Sequence, residues 1–203
     1  MSSFIGHTLT SLGVYATTQS PQKPAWRDLL WLGWLTFVAL APDLDYVIPA
    51  LYALRASMED GLRVTHSLVG CLVFPLLTLP VLMRLKLTQE TRRRYVIQVF
   101  LAGLSHIVLD MLVGVWPLPL LWPFTSRRFA LPFGILPSAP SFRLDNPYMY
   151  RNLLMEVGIL IPLYAGVYLL RFGKGAGWKR YGSIAVLWLC SVGFMGWAFT
   201  LAR

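Results

Sequence analysis

Three histidines and four carboxylates of this chain fall inside or beside long apolar runs: His7, His66 and His106, with Asp43, Asp45, Asp110 and Glu156. Carboxylates in such places are costly unless they face a protein interior, a cavity or a partner. Imidazole and carboxylate together make a donor set for a divalent transition metal. Without a usable thiolate the set suits Zn first, with Mn or Fe as alternatives. Spacing sharpens the case in one place. His106 and Asp110, in GLSHIVLDML, are four residues apart, so they share a helical face and can present both groups to one ion. Asp43 and Asp45, in LAPDLDYVIP, are two apart and cannot share such a face, but a break at Pro42 would let both turn inward. His66, in RVTHSLVG, opens the next apolar run, with Thr65 and Ser67 able to cap it or orient the ring.

Each residue also has a plainer explanation. A single histidine near a helix end is commonly a hydrogen-bonded structural residue. Asp43 and Asp45 could cap a helix break behind Pro42, and Asp110 could do no more than hold His106. Arg127 and Arg128 could receive a phosphate or a carboxylate by paired hydrogen bonds, or could merely face lipid headgroups. The sequence holds no nucleophile elbow and no glycine-rich phosphate loop. A hydroxyl beside a histidine, as in Thr65-His66-Ser67, is not in itself a catalytic dyad.

The elements that must position these groups follow from composition. The 203 residues are 56% apolar, 14% aromatic and only 13% charged, with a mean hydropathy of +0.58. A soluble domain carries roughly 25% charged residues, and a chain this short cannot hide so much apolar surface in one core. A soluble enzyme, a disordered protein and a small secreted scaffold are all excluded. The reading is one all-α integral membrane domain over 1–203, a polytopic helix bundle of five to six membrane segments. Segments at about 30–54, 67–83, 95–113, 153–171 and 181–201 approach the ~20 residues that a crossing needs. A shorter, more polar N-terminal helix at 3–18 makes the sixth. No removable signal peptide is read at the N-terminus. Cys71 and Cys190 lie in apolar runs, so no disulfide framework is indicated.

A net charge of +9 would raise nucleic acid as a partner in a soluble protein, but here the basic residues cluster in short loops, the pattern of membrane topology rather than of nucleic-acid binding. Loop 84–94 holds five basic residues and loop 171–180 holds four, while 19–29 adds Lys23 and Arg27. With 3–18 counted as a crossing, all three loops fall on one side, which the positive-inside rule makes cytoplasmic. All seven polar candidates then lie toward the outer leaflet. The external stretch 114–152 is rich in proline and aromatic residues, which excludes a long helix and predicts a segment packed at the membrane surface over the helix ends.

The order of His7, Pro42-Asp43-Leu44-Asp45, Thr65-His66-Ser67, His106-x-x-x-Asp110 and Leu121-Trp122-Pro123-Phe124 with an arginine pair after it resembles the YdjM-like family. These are bacterial and archaeal inner-membrane proteins described as membrane-bound metal-dependent hydrolases. The family's Arg and Gly before Thr-His-Ser stand here as Arg63 and Val64. More distantly, the order is similar to that of zinc-dependent phospholipase C enzymes. The resemblance implies one or two divalent ions, with His7, Asp43, His66, His106 and Asp110 as ligands and Glu156 a further one. Asp45 would be a second ligand across the break or a partner orienting a histidine. His66, Asp45 and Arg128 would act on the reaction, and Trp122, Arg127 and Arg128 would bind substrate. The function expected is hydrolysis of a lipid-linked phosphoester at the outer leaflet of the cytoplasmic membrane, with a membrane lipid or lipid-linked molecule as partner. A proton or metal-ion transporter, and a structural or regulatory membrane protein with a structural metal, are the alternatives.

Overall fold

The computed structural model describes residues 3–19, 26–58, 61–138, 145–174 and 177–201. Lys23, which counts among the basic loop residues, lies outside them. Among the described residues the protein is helical: α1 (Phe4–Thr18), α2 (Trp26–Leu40), α3 (Pro49–Ser57), α4 (Leu68–Arg84), α5 (Gln89–Val113), α6 (Pro147–Phe172) and α7 (Trp178–Phe199). Three of these, α5, α6 and α7, are long and apolar enough to cross a membrane, and α4 is a shorter apolar helix. Their outer faces stay apolar, with Val186, Leu189 and Val192 of α7 exposed. In water that surface would be untenable, so it faces lipid.

Local chemistry sets the helix ends. Ser3, Ser67 and Thr88 each cap a helix by accepting from a backbone N–H three residues on, at 3.0–3.2 Å. Asn146 with Pro147 opens α6 in the same manner. Gly114, at φ +67°, ends α5 in the left-handed conformation that glycine accepts without a Cβ penalty. The apolar stretch 30–54 is not one helix. Pro42 halts α2 at Leu40 and starts a 3-10 turn over Ala41–Tyr46, and Pro49 then opens the short α3.

Helix α5 is central, packed against α1, α2 and α4, while α6 lies between α1 and α7. Close approach of α4 and α5 depends on two residues together. Pro75 lacks the N–H that would bond the Cys71 carbonyl, and a Cβ on Gly103 of α5 would stand 2.7 Å from that same oxygen. Only glycine lets α5 cover it. The stretch after α5 is tied down rather than projecting. Leu120 O accepts from Leu68 N at 3.0 Å, and Ile135 N and Leu136 N both donate to Leu112 O, at 2.8 and 3.1 Å. Leu118 is buried against Cys71 and Ile107, so this stretch lies over the ends of α4 and α5.

Candidate metal centre

Four separate elements deliver side chains to one point. His7 comes from the first turns of α1, Asp43 from the 3-10 turn after α2, and His66 from a second 3-10 turn, Val64–His66, leading into α4. His106 and Asp110 come from the last two turns of α5. All five are buried, the histidines completely. They lie at one end of the bundle, the end covered by the segment after α5. Gly70 permits the approach of the His66 turn: a Cβ there would stand 2.5 Å from Thr65 O and 2.6 Å from Val64 O.

The donors face one another closely. His66 Nε2 is 3.2 Å from His106 Nε2 and 3.2 Å from Asp43 Oδ1. Asp110 Oδ2 lies 3.5 Å from His66 Nε2 and 3.6 Å from His106 Nε2, and Asp43 Oδ1 is 3.8 Å from His106 Nε2. His7 Nε2 approaches the other carboxylate oxygens, Asp43 Oδ2 at 3.8 Å and Asp110 Oδ1 at 3.7 Å. Neither ring nitrogen of His7 makes a hydrogen bond.

Tautomers follow from the outward-facing nitrogens. His106 Nδ1 donates to the Ala39 carbonyl at 2.8 Å, which leaves its Nε2 with a lone pair. Thr65 Oγ1 donates to Asp45 Oδ2 at 3.2 Å and accepts from His66 Nδ1 at 3.0 Å, which leaves His66 Nε2 with a lone pair as well. Two nitrogen lone pairs facing each other at 3.2 Å, beside two carboxylates, repel unless a cation lies between them. Charge balance gives the same answer. Three aspartates, Asp43, Asp45 and Asp110, face one guanidinium, Arg63, and this net negative cluster favours divalent cations. Burial first, and then the positive charge of Arg63, push the His66 imidazole down to about 3, so the ring is held neutral and open to a metal.

Geometry supplies a further test of fit. Tetrahedral ligands at about 2.1 Å from an ion are separated by about 3.4 Å. The donors His66 Nε2, His106 Nε2, Asp43 Oδ1 and Asp110 Oδ2 give 3.2–3.8 Å for the five separations above. They fit a four-coordinate divalent ion.

Other candidates are placed elsewhere. Asp45 and Glu156 belong to neither group of clustered donors, which comprise His7, Asp43 and His106, and His66, His106 and Asp110. Asp45 is turned away by Arg63, whose Nε and Nη2 hold its two oxygens at 2.8 and 2.6 Å. Burial alone would lower the Arg63 guanidinium, but its bonds to Asp45 outweigh that and its pKa is raised. Glu156 accepts from the backbone N–H of Ser3 at 2.8 Å and from the Ser3 hydroxyl, tying α6 to the start of α1. Arg127 and Arg128 are exposed and Trp122 is half-buried, with the Arg127 guanidinium 5.6 Å from the Phe129 ring centre. Arg63, which also lies 4.3 Å over the Tyr46 ring, was assigned no role from sequence. Its position next to Thr65-His66-Ser67 is the signal that could have found it.

Fold and site together define a helical integral membrane protein with a buried His/Asp cluster that could hold a metal ion. Comparison of the sequence with family patterns agrees: residues 1–202 match the YdjM inner membrane protein family, and the chain belongs to it. It is therefore an integral inner-membrane protein. No curated protein and no solved structure matches the chain, and the more distant likeness to phospholipase C gains no support.

Proposed function

We propose that the protein is a metal-dependent hydrolase whose centre opens toward the outer leaflet and acts on a lipid-linked phosphoester. The observation that carries the reading is the convergence of five buried histidine and aspartate side chains, from four elements, on one point. In this reading α1, α2 and α4 complete a bundle of six membrane segments with α5, α6 and α7. The basic ends at Arg84–Arg94 and Arg171–Arg180 lie inside, and the centre lies at the opposite end.

Zn suits these donors best, with Mn or Fe as alternatives. Such an ion supplies Lewis acidity at phosphorus and activates water near neutral pH. The chain's own residues do the rest. Asp43 and Asp110 supply the negative charge that retains a dication. Ala39 O and Thr65 fix which nitrogen His106 and His66 present, and Arg63 immobilises Asp45 beneath Thr65. The exposed guanidinium groups of Arg127 and Arg128 suit paired bonds to a phosphate at headgroup level. The half-buried ring of Trp122 suits the adjoining apolar portion.

The test uses the full chain in vesicles of phosphatidylglycerol carrying an isoprenoid phosphate, with release of the polar product measured. Chelator-sensitive turnover, lost in Asp110→Asn with the fold intact, is the expected result. Metal retained with no turnover of either lipid would favour a structural centre, and ion flux abolished by His106→Ala would favour transport.

A further inference from the structure

The two carboxylates at the centre are each divided between two sets of histidines. Asp43 turns Oδ1 toward His66 and His106, at 3.2 and 3.8 Å, and Oδ2 toward His7, at 3.8 Å. Asp110 does the same, with Oδ2 toward His66 and His106, at 3.5 and 3.6 Å, and Oδ1 toward His7, at 3.7 Å. Carboxylates placed so are in position to bridge.

The rings say why one ion cannot serve all three histidines. An imidazole lone pair lies in the plane of its ring, so a well-bound ion lies in that plane as well. His66 stands at 76° to His106, and their Nε2 atoms are 3.2 Å apart, so both planes can contain one ion about 2.1 Å from each nitrogen. His7 and His106 are instead stacked, with centroids 4.0 Å apart and planes within 9° of parallel. An ion midway between two such rings would lie out of both planes, by up to about 2 Å, away from where either lone pair points. His7 and His106 therefore cannot both coordinate the same ion well. The 4.0 Å between their centroids is instead within the separation of paired ions in two-metal sites, about 3.5–4 Å.

We infer that the centre holds two divalent ions bridged by Asp43 and Asp110, the second bound by His7 with Asp43 Oδ2 and Asp110 Oδ1. This rests on the reading of the cluster as a metal centre and deepens it. The first ion has four protein donors, as closed sites do. The second has three, which is the arrangement that leaves a position open to water or substrate. His7 supports this independently. It is fully buried, it makes no hydrogen bond through either nitrogen, and its Nε2 is aimed at the two oxygens that the other histidines do not approach.

The test is metal content and magnetic coupling of the full chain, purified in detergent without chelator. Loading with Zn²⁺ is expected to give two ions per chain, and loading with Mn²⁺ a spin-coupled pair spectrum. His7→Ala should retain one ion and show an isolated-ion spectrum, while His66→Ala should disturb the other site. One ion per chain in the unmodified protein, with an uncoupled Mn²⁺ spectrum, overturns the second site but leaves the metal centre standing. No bound ion at all overturns both. Should His7→Ala fail to fold, the stoichiometry and coupling of the unmodified protein decide the matter alone.

Discussion

Arg63 holds both carboxylate oxygens of Asp45, Nε to Oδ2 at 2.8 Å and Nη2 to Oδ1 at 2.6 Å. The same Nη2 reaches Asp43 Oδ1 at 3.4 Å. The two 3-10 turns that carry Asp43 and His66 are thereby locked together. A chain of bonds runs on from Asp45 through Thr65 to His66 Nδ1, so Asp45 orients a histidine from outside the donor cluster.

Asp43→Asn and Asp45→Asn should therefore behave differently. Asparagine keeps the size and one acceptor but removes the charge that holds a dication. Asp43→Asn should lose metal and activity together. Asp45→Asn should keep its metal with affinity lowered roughly 10–100-fold, as for loss of a partner that orients a ligand. Metal analysis of both proteins, prepared identically and checked for folding, separates them. Full occupancy in Asp43→Asn would refute its role as a ligand.

Arg63→Lys tests the lock itself. Lysine keeps the charge but offers a point donor in place of the planar fork, and it cannot stack as well on Tyr46. Metal affinity should fall by a factor similar to that of Asp45→Asn. The double variant with Asp45→Asn should be no worse than the weaker single, because both act through one contact. Additive losses in a metal-competition titration would show that the two residues act separately.

Gly70→Ala asks whether the His66 turn must lie so close to α4. The added methyl would meet two carbonyl oxygens at 2.5 and 2.6 Å, whereas at Gly33 of α2 it would meet nothing within 4 Å. Backbone cannot yield as a side chain can, so a loss of about 1–3 kcal/mol is expected at Gly70, as for overpacking. Gly33→Ala should be neutral. Thermal unfolding in one detergent gives the comparison, and equal midpoints for the two variants would contradict it.

The spacing of His106 and Asp110 showed in the sequence that these two share a helical face, because an α-helix imposes that relation locally. Pro42 showed where the apolar stretch 30–54 would break. Which aspartate of the pair faces inward is implied by the family resemblance but not by the spacing. It depends on Arg63, 18 residues further along the chain, and on a turn whose path Gly70 permits. The stacking of His7 on His106, which separates the two proposed ions, joins helices α1 and α5 and leaves no local trace. Nor did the sequence indicate that Glu156 is engaged with Ser3, since hydropathy marks it only as a carboxylate in an apolar run.

Orientation has its own measurement. Single cysteines at Ser126 and at Lys174, in a background lacking Cys71 and Cys190, lie in loops at opposite ends of the bundle. An impermeant maleimide added to intact spheroplasts should label the first and not the second. The reverse result would place the centre on the cytoplasmic side.

Glu156 offers the sharpest test of positioning. It accepts from the Ser3 backbone N–H at 2.8 Å and from the Ser3 hydroxyl. Ser3 in turn caps α1 by accepting from Gly6 N at 3.1 Å, and its carbonyl accepts from His7 N at 3.1 Å. The carboxylate thus fixes the first turn of the helix that presents His7, and nothing in this chain of bonds reaches His66 or His106. Glu156→Ala should lower affinity at the His7 site by about 10–100-fold, the scale for loss of an orienting partner, while the four-donor site keeps its ion. Glu156→Gln retains an acceptor for the Ser3 N–H and should restore most of the loss. In Mn²⁺-loaded protein the readout is the coupled spectrum, expected to give way to that of a single ion in the alanine variant and to return in the glutamine variant. Loss of both ions together in Glu156→Ala, with helix content unchanged, would mean that Glu156 supports the whole centre and not the placement of His7.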